Sequence, residues 1–391
     1  MTIDTKELLT RGVEDIIEKK HLTEALASGQ KLRVKFGIDP TGKQIHIGRA
    51  IVLWKLRALQ ELGHHIILIV GDFTAQIGDP SDKLEKRPFL TREQVDANLG
   101  GYLAQIGTVL DIAHAEIRYN SEWLAKLNFQ EISRLAEIFT VQQMIERKNF
   151  KERWLKHQEI SLREFLYPIM QGYDSVMLKA DLELGGTDQL FNLMAGRKIQ
   201  EWYNQKPQDI ITCSMLSGLD GRKMSTSWGN VINVTDAPNE QYGKVMSMRD
   251  EMIEEYFTLA TDVPLAEIKQ YSRALKTGEN PKTMKEKLAS AIVRRYHGDE
   301  AARRAADEFK KIFVEKALPS EIPTLQLSAK KIALIDALLK TGVASKSEAR
   351  RLIEQGGVTV NDAAHRNPAE TVQFKSKDIL RIGKRKFFRI Q

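Results

Sequence analysis

The stretch Phe36–Arg49, FGIDPTGKQIHIGR, decides how the chain is read. Ahead of it and running into it, Leu32–Ile38 reads as a strand. After it, Ile51, Val52, Leu53, Leu56 and Leu59 recur at helical spacing and predict a helix. Strand, glycine-bearing loop and helix start together make an anion site, because the first amides of a helix have no partner inside it. Gly37 and Gly48 let a nucleotide approach the backbone, and His46 has a side chain that can meet a phosphate. Gly37-x4-Gly42-Lys43 is also most of a P-loop. Gln44 stands where that motif needs a magnesium-binding Ser or Thr, and Pro40 removes one amide from the cradle, so this reading is set aside.

Outward from this stretch, His65–Gly71 (HIILIVG) is rich in β-branched residues and suits a buried parallel strand. Strand, helix, strand is the start of a doubly wound α/β sheet. Ligands of such sheets bind at the carboxyl ends of strands, where Asp39 and Asp79 fall. Residues 1–31 read as an amphipathic helical segment on Val13, Ile16, Ile17 and Leu22, and residues 91–160 read mainly as helices. In the latter, Phe139–Met144 and Trp154 are apolar surface for a core or a subunit contact. In Ser161–Val176, the residues Tyr167, Gln171 and Asp174 lie at i, i+4 and i+7, on one helix face. Pro168 fits only near a helix start or at a kink. Apolar residues flank the three polar ones, and a polar face on a buried helix needs partners, which a small polar ligand would supply.

Two further loops carry chemistry-bearing residues. Leu184–Gln189 (LGGTDQ) reads either as a ligand loop or as a turn in which Thr187 or Asp188 caps the next helix. Asp220–Asn230 (DGRKMSTSWGN) is a loop crowded with Gly, Ser and Thr plus Lys223.

Bulk composition bounds the answer. With 391 residues and 42% hydrophobic content, the chain is long enough for two or three domains. One cysteine, Cys213, excludes an internal disulfide framework and a cysteine-based zinc site. The charged start MTIDTKELLTRG lacks a signal-peptide core, and no apolar run approaches the roughly 18 residues that span a bilayer, so a cytoplasmic protein with no membrane partner is expected. Charge is segregated. Residues 329–391 hold 14 Lys or Arg against 6 Asp or Glu, whereas the preceding 328 hold 45 against 46. A basic tail of this kind suits a polyanion such as nucleic acid. Composition shifts after Pro319 and Pro323, marking a linker.

The segment His46-Ile47-Gly48-Arg49 is similar to the HIGH signature of class I aminoacyl-tRNA synthetases, and Lys223–Ser227, KMSTS, resembles its partner KMSKS, 177 positions downstream. Over nearly its full length the chain resembles the bacterial tyrosyl-tRNA synthetases. The resembling residues are Gly37–Thr41, Ile77–Pro80, Tyr167-x3-Gln171-x2-Asp174, Gly185–Gln189 and the tail. In the tail, Arg350 and Arg351 on a short helix before Gly356-Gly357 resemble an S4 RNA-binding fold. Tryptophanyl enzymes share the catalytic design but lack this tail and this trio.

The resemblance implies a Rossmann-like catalytic domain over residues 1–230, a helical anticodon-region domain over 231–318, a linker over 319–328 and a small S4-like α+β domain over 329–391. It implies ATP, L-tyrosine and tRNA(Tyr) as substrates, magnesium arriving as the ATP complex with no protein ligand cluster of its own, and a homodimer. Tyrosine would be held by Asp79, Tyr167 and Gln171 at its ammonium, by Asp174 at its phenol, by Gln189 near its carboxylate and by Lys35 beside the phenol. Thr41 and His46 would grip the phosphates from one side, and Lys223, Met224, Ser225 and Thr226 from the other. Gly37, Asp39, Gly48 and Asp188 would face the ATP ribose or adjoining backbone. Lys346, Arg350 and Arg351 would meet RNA. Three positions depart from the family pattern. Arg49 replaces the second His of HIGH, Thr226 replaces the second Lys of KMSKS, and Lys35 stands where many bacterial members carry a tyrosine. The last of these, with Glu183 in place of a glutamine, suggests the second bacterial subgroup. Arg49 is expected to restore the charge lost at Thr226. The alternatives are a tryptophanyl-type enzyme, a catalytically inactive RNA-binding relative, and a transferase that adenylylates a small metabolite.

Overall fold

The computed structural model describes residues 4–40, 44–81, 91–315, 317–320, 322–327, 329, 331–383 and 386–391. Two compact units result, Met1–Asp299 and Glu300–Gln391.

The first unit is built on a six-stranded sheet. Its strands are β1 (Val13–Ile17), β2 (Arg33–Ile38), β3 (His65–Val70), β4 (Glu116–Tyr119), β5 (Leu182–Gly186) and β6 (Asp209–Cys213), in the order β1-β6-β5-β2-β3-β4. The pairs from β6 to β4 are all parallel, and β1 runs antiparallel on the β6 edge. From β2 the chain winds outward to β3 and β4, then returns to place β5 on the other side of β2. The winding therefore reverses between β2 and β5, and the crevice at their carboxyl ends is where a ligand of such a sheet lies.

The central strands are mostly apolar because both faces are covered, with Lys35 of β2 and Glu183 of β5 buried as an ion pair. Val34, Ile66, Ile67, Leu182, Ile210 and Ile211 are fully buried. Helix α1 (Ile47–Glu61) follows β2, with Ala50, Leu53, Leu56 and Leu59 against the core. Helix α2 (Arg92–Ile106) opens with a Thr91/Gln94 capping box. Helix α3 (Leu162–Leu178) opens with a second, Ser161/Glu164, and carries Pro168 in its second turn. It packs closely on α4 (Leu190–Trp202): a Cβ at Gly172 would stand 2.7 Å from Ile199 and 3.1 Å from the Ala195 backbone.

Two strands differ from the sequence expectation. Val13–Ile17 is not helical; it pairs with β6 through Ile16–Ile211 and Ile17–Ile210. A register shift between Val13 and Asp15 breaks the two-residue alternation, so Val13, Ile16 and Ile17 imitate the i, i+3, i+4 spacing of a helix. Glu116–Tyr119, within a segment read mainly as helices, is the edge strand β4. It is half-buried along its length and only four residues long, so it shows no apolar run.

The helical residues Pro281–Phe313 are interrupted at Gly298, whose φ of 84° is open to glycine. In the second unit, β7 (Thr324–Leu325), β9 (Val358–Val360), β10 (Ala363–His365), β12 (Ile379–Ile382) and β13 (Lys386–Ile390) form one sheet. The strands β8 (Lys331–Ala333) and β11 (Thr371–Gln373) form a separate pair. The expected helix from Ile332 begins only at Leu334, because residues 331–333 pair with β11. Leu334, Ala337, Leu338, Ala349, Ile353, Val358 and Leu380 make the core of this unit. The short helix Lys346–Glu354 turns Ala349 and Ile353 inward and leaves Lys346, Arg350 and Arg351 exposed.

Candidate active site

The phosphate-facing half begins at the end of β2. His46 caps α1, its Nδ1 accepting from the Arg49 amide at 3.3 Å. The capping residue is itself tied to the far segment. Ile47 N–H donates to Ile232 O at 2.8 Å, Val234 N–H to Ile45 O at 2.9 Å, and Asn233 Nδ2 to Gln44 at 3.3 Å. The residues that follow the KMSTS loop are thus stitched to the residues that precede α1. Gly48 and Met224 also meet: a Cβ at Gly48 would stand 3.1 Å from the Met224 sulfur. His46 is pushed down to about 4, first by burial and then by the positive charges of Arg49 and Lys223, so its ring is neutral at pH 7. The two signatures lie together, with Arg49 and Lys223 both acting on the His46 imidazole. Thr41 lies outside the described residues.

The KMSTS loop is shaped by Asn230, which is 5% exposed. Its carboxamide accepts from Ser225 N–H at 2.8 Å and donates to Lys223 O at 3.1 Å and Asp220 at 2.8 Å. A Cβ at Gly218 would fall 2.2 Å from the Asn230 amide nitrogen, so only glycine fits there. Asp220, held well below the usual carboxylate range by Asn230 and Arg222, fixes the loop's base. Thr226 opens a single turn, Thr226–Trp228, with Thr226 and Trp228 exposed.

The other half lies under β2 and β5. Asp174 is 2% exposed on α3. One carboxylate oxygen accepts from the Trp123 indole N–H at 2.7 Å and the other from Asn120 Nδ2 at 3.3 Å. Burial raises this carboxyl to about 7, while Lys35 and the two hydrogen bonds pull against it. The network continues outward. Asn120 donates to Thr74 Oγ1 at 3.0 Å, Thr74 donates to Asp39 at 2.8 Å, and the Tyr167 hydroxyl donates to the other Asp39 oxygen at 2.8 Å. Gly71 admits this arrangement, since a Cβ there would lie 1.9 Å from Asp39 Oδ1. Asp79 accepts from Gln189 Nε2 at 2.7 Å and from Asn192 at 3.5 Å, and Asn192 also donates to Gln189 Oε1 at 3.1 Å. Asp39, Tyr167 and Asp174 are therefore joined in one network and Asp79 and Gln189 in a second, while Gly37 lies near the end of β2 and Asp188 just beyond β5.

Lys35 is held by partners within the protein. It is fully buried, with Nζ 2.8 Å from each of Glu183 Oε1, Gln171 O and Ser175 Oγ. An ammonium has three protons, and these three acceptors use them. Lys35 stands behind the pocket and braces α3, while Gln171 Nε2 reaches Glu183 at 3.3 Å. Trp123, Asn120, Thr74 and Asn192 were not readable from spacing. They come from separate segments, and only the fold gathers them.

A family model described as "tRNA synthetases class I (W and Y)" matches residues 27–314, and one described as "Tyrosine--tRNA ligase SYY-like C-terminal domain" matches 314–390. The tyrosine--tRNA ligase of Thermotoga maritima is 46% identical over 387 residues, covering 98% of this chain and 96% of that one. That of Dehalococcoides mccartyi is 44% identical and covers 97% of each. Among solved structures, a C-terminally truncated Aspergillus nidulans mitochondrial tyrosyl-tRNA synthetase superposes with a TM-score of 0.64 at 21% identity, covering 78% of this chain and 93% of its own. The Archaeoglobus fulgidus tyrosyl-tRNA synthetase complexed with L-tyrosine does so at 0.60 and 23%, covering 77% and 98%. These likenesses speak for the fold. The tryptophanyl and inactive alternatives are not favoured by a family model and relatives of this kind. The chain belongs to the class I tRNA synthetases, and within them to the tyrosine--tRNA ligases.

Proposed function

We propose that the chain activates L-tyrosine with ATP and transfers it to the 3′ end of tRNA(Tyr). The carrying observation is Asp174: a buried carboxylate held by Trp123 and Asn120 at the sheet's switch point, beside a phosphate-facing half made of both signatures. A phenol hydroxyl is a donor matched to that acceptor. Asp79, Tyr167 and Gln171 take the ammonium, and Gln189 lies near the carboxylate.

In the first step the tyrosine carboxylate attacks the α-phosphorus of ATP and pyrophosphate leaves. In the second a ribose hydroxyl of the tRNA takes the tyrosyl group from the adenylate and AMP leaves. No enzyme nucleophile is required. Catalysis is positioning plus stabilisation of charge on the departing phosphates. Neutral His46, with Thr41, donates hydrogen bonds from one side. Lys223 and Arg49 supply positive charge, with Met224, Ser225 and Thr226 forming the opposing loop. Gly37, Gly48, Asp39 and Asp188 face the ribose. Magnesium enters as part of the substrate, on the ATP phosphates.

Residues 1–230 carry the chemistry, 231–318 the anticodon-region contacts, and 329–391 RNA binding through Lys346, Arg350 and Arg351. A second copy of the chain covers the exposed Val141, Trp154, Leu155 and Leu162, apolar residues on consecutive helices. No helix among the described residues is long and apolar enough to cross a membrane, and a cytoplasmic location fits the substrates. The test is charging of tRNA(Tyr) with labelled tyrosine. Formation of an alkali-labile ester on the RNA is expected, and its absence with folded enzyme overturns the proposal.

A further inference from the structure

We infer that one face of helix α2 is the frame that holds the phosphate-facing segment, with Asn98, Tyr102 and Gln105 as positioning residues and Tyr102 aiming the guanidinium of Arg49. This rests on the reading of that segment as an ATP site and adds residues that the reading does not name.

The three lie at i, i+4 and i+7, so they share a face of α2. Each grips a different point. Asn98 Nδ2 donates to Pro40 O at 2.9 Å. Gln105 Oε1 accepts from the Ile45 amide at 2.8 Å. Tyr102 OH accepts from Arg49 Nη1 at 2.5 Å. Pro40 and Ile45 precede the HIGR stretch and Arg49 ends it, so one helix face grips the chain on both sides of that stretch.

The helix is built to hold still. Its start is closed by the Thr91/Gln94 box, and Val95, Tyr102 and Ile106 are buried to 2% exposure or less. Gln105 is oriented in turn, because its Nε2 donates to Gly101 O at 3.1 Å. The Ile45 amide is thereby satisfied by a side chain from another element rather than by its neighbours, which fixes Ile45 just ahead of His46.

Arg49 explains why a phenol is needed. The residue is exposed and long, and a free guanidinium would sample many orientations. Tyr102 OH takes one N–H. Among the described residues the remaining guanidinium N–H groups have no partner, so they stay available to an anion while the plane is held. Arginine stands where the family signature has histidine, and a longer side chain at that place needs an anchor further off, which the buried Tyr102 supplies.

The test is pre-steady-state adenylate formation by the full-length enzyme in Tyr102→Phe, Arg49→Gln, the double variant and Asn98→Ala, with tyrosine Kd and Tm measured alongside. Tyr102→Phe is expected to slow adenylation roughly tenfold, the scale of a hydrogen bond to a charged group, with tyrosine Kd unchanged. In the Arg49→Gln background the same change should cost less than about twofold, because the two residues act as one unit. Asn98→Ala, at a half-exposed position, should raise the KM for ATP several-fold without moving tyrosine Kd. Equal losses from Tyr102→Phe in both backgrounds, or wild-type rates in Tyr102→Phe and Asn98→Ala, overturn the inference and leave the ATP reading standing. Absence of any amino-acid-dependent adenylation in the wild type overturns both.

Discussion

The indole nitrogen of Trp123 donates to Asp174 Oδ1 across 2.7 Å, joining the segment after β4 to the middle of α3 in the interior of the first unit. The bond fixes which way the carboxylate faces. It also stabilises the ionised form that a phenol donor requires, in a place where burial favours the protonated one.

That opposition predicts a pH dependence. Asp174 titrates near about 7 in the free protein, and a phenol binds its ionised form. Tyrosine affinity should therefore rise with pH, by about tenfold between pH 6 and pH 8 as the competent fraction grows, and then level off. His46, held down to about 4, stays neutral across this window and does not contribute. Calorimetric titration of tyrosine from pH 5.5 to 8.5 measures the effect. Asp174→Asn should bind weakly with a flat profile.

Trp123→Phe keeps the ring and removes the donor. Loss of one hydrogen bond to a charged group, about 1.5–3 kcal/mol, should raise tyrosine Kd by roughly ten- to a hundredfold. Its midpoint in the pH profile should move up, because the ionised carboxylate loses support. A Kd within twofold of wild type would remove Trp123 from the account.

Arg49 and Lys223 both depress His46, so the charge around the imidazole is shared between the two signatures. Arg49→His alone is expected to slow adenylate formation sharply, and adding Thr226→Lys to recover much of the loss. Stopped-flow measurement of the three variants decides it. Simple additivity of the two changes argues against compensation.

On the proposed reading, the exposed cations of the second unit bear on RNA and not on adenylation. The triple variant Lys346→Glu, Arg350→Glu, Arg351→Glu should leave ATP–pyrophosphate exchange at the wild-type rate. It should weaken tRNA charging at low tRNA concentration and flatten the dependence of tRNA affinity on salt. Unchanged charging contradicts the RNA assignment.

Much of this was legible in the sequence, for reasons that differ by element. The strand His65–Val70 is legible because a parallel sheet covered on both faces needs uninterrupted β-branched and aliphatic residues. Tyr167 and Asp174 could be placed on one helix face by spacing alone. Val13–Ile17 was misread because a bulge breaks its alternation, and Glu116–Tyr119 because an edge strand has no apolar run to show. Lys35 is locked to Glu183, Gln171 and Ser175. Burial of an ammonium is set by its tertiary partners, which spacing does not reveal. The same holds for Trp123, Asn120 and Tyr102, whose roles exist only once distant segments meet.

The central claim is that the Asp174 pocket admits tyrosine to a site where both signatures act on ATP. The most direct measurement is amino-acid-dependent ATP–pyrophosphate exchange across the twenty amino acids. Exchange with tyrosine is predicted, with phenylalanine strongly rejected because it would leave Asp174 without the hydroxyl it is held to meet. Exchange driven equally well by phenylalanine, or driven by tryptophan in place of tyrosine, would contradict it.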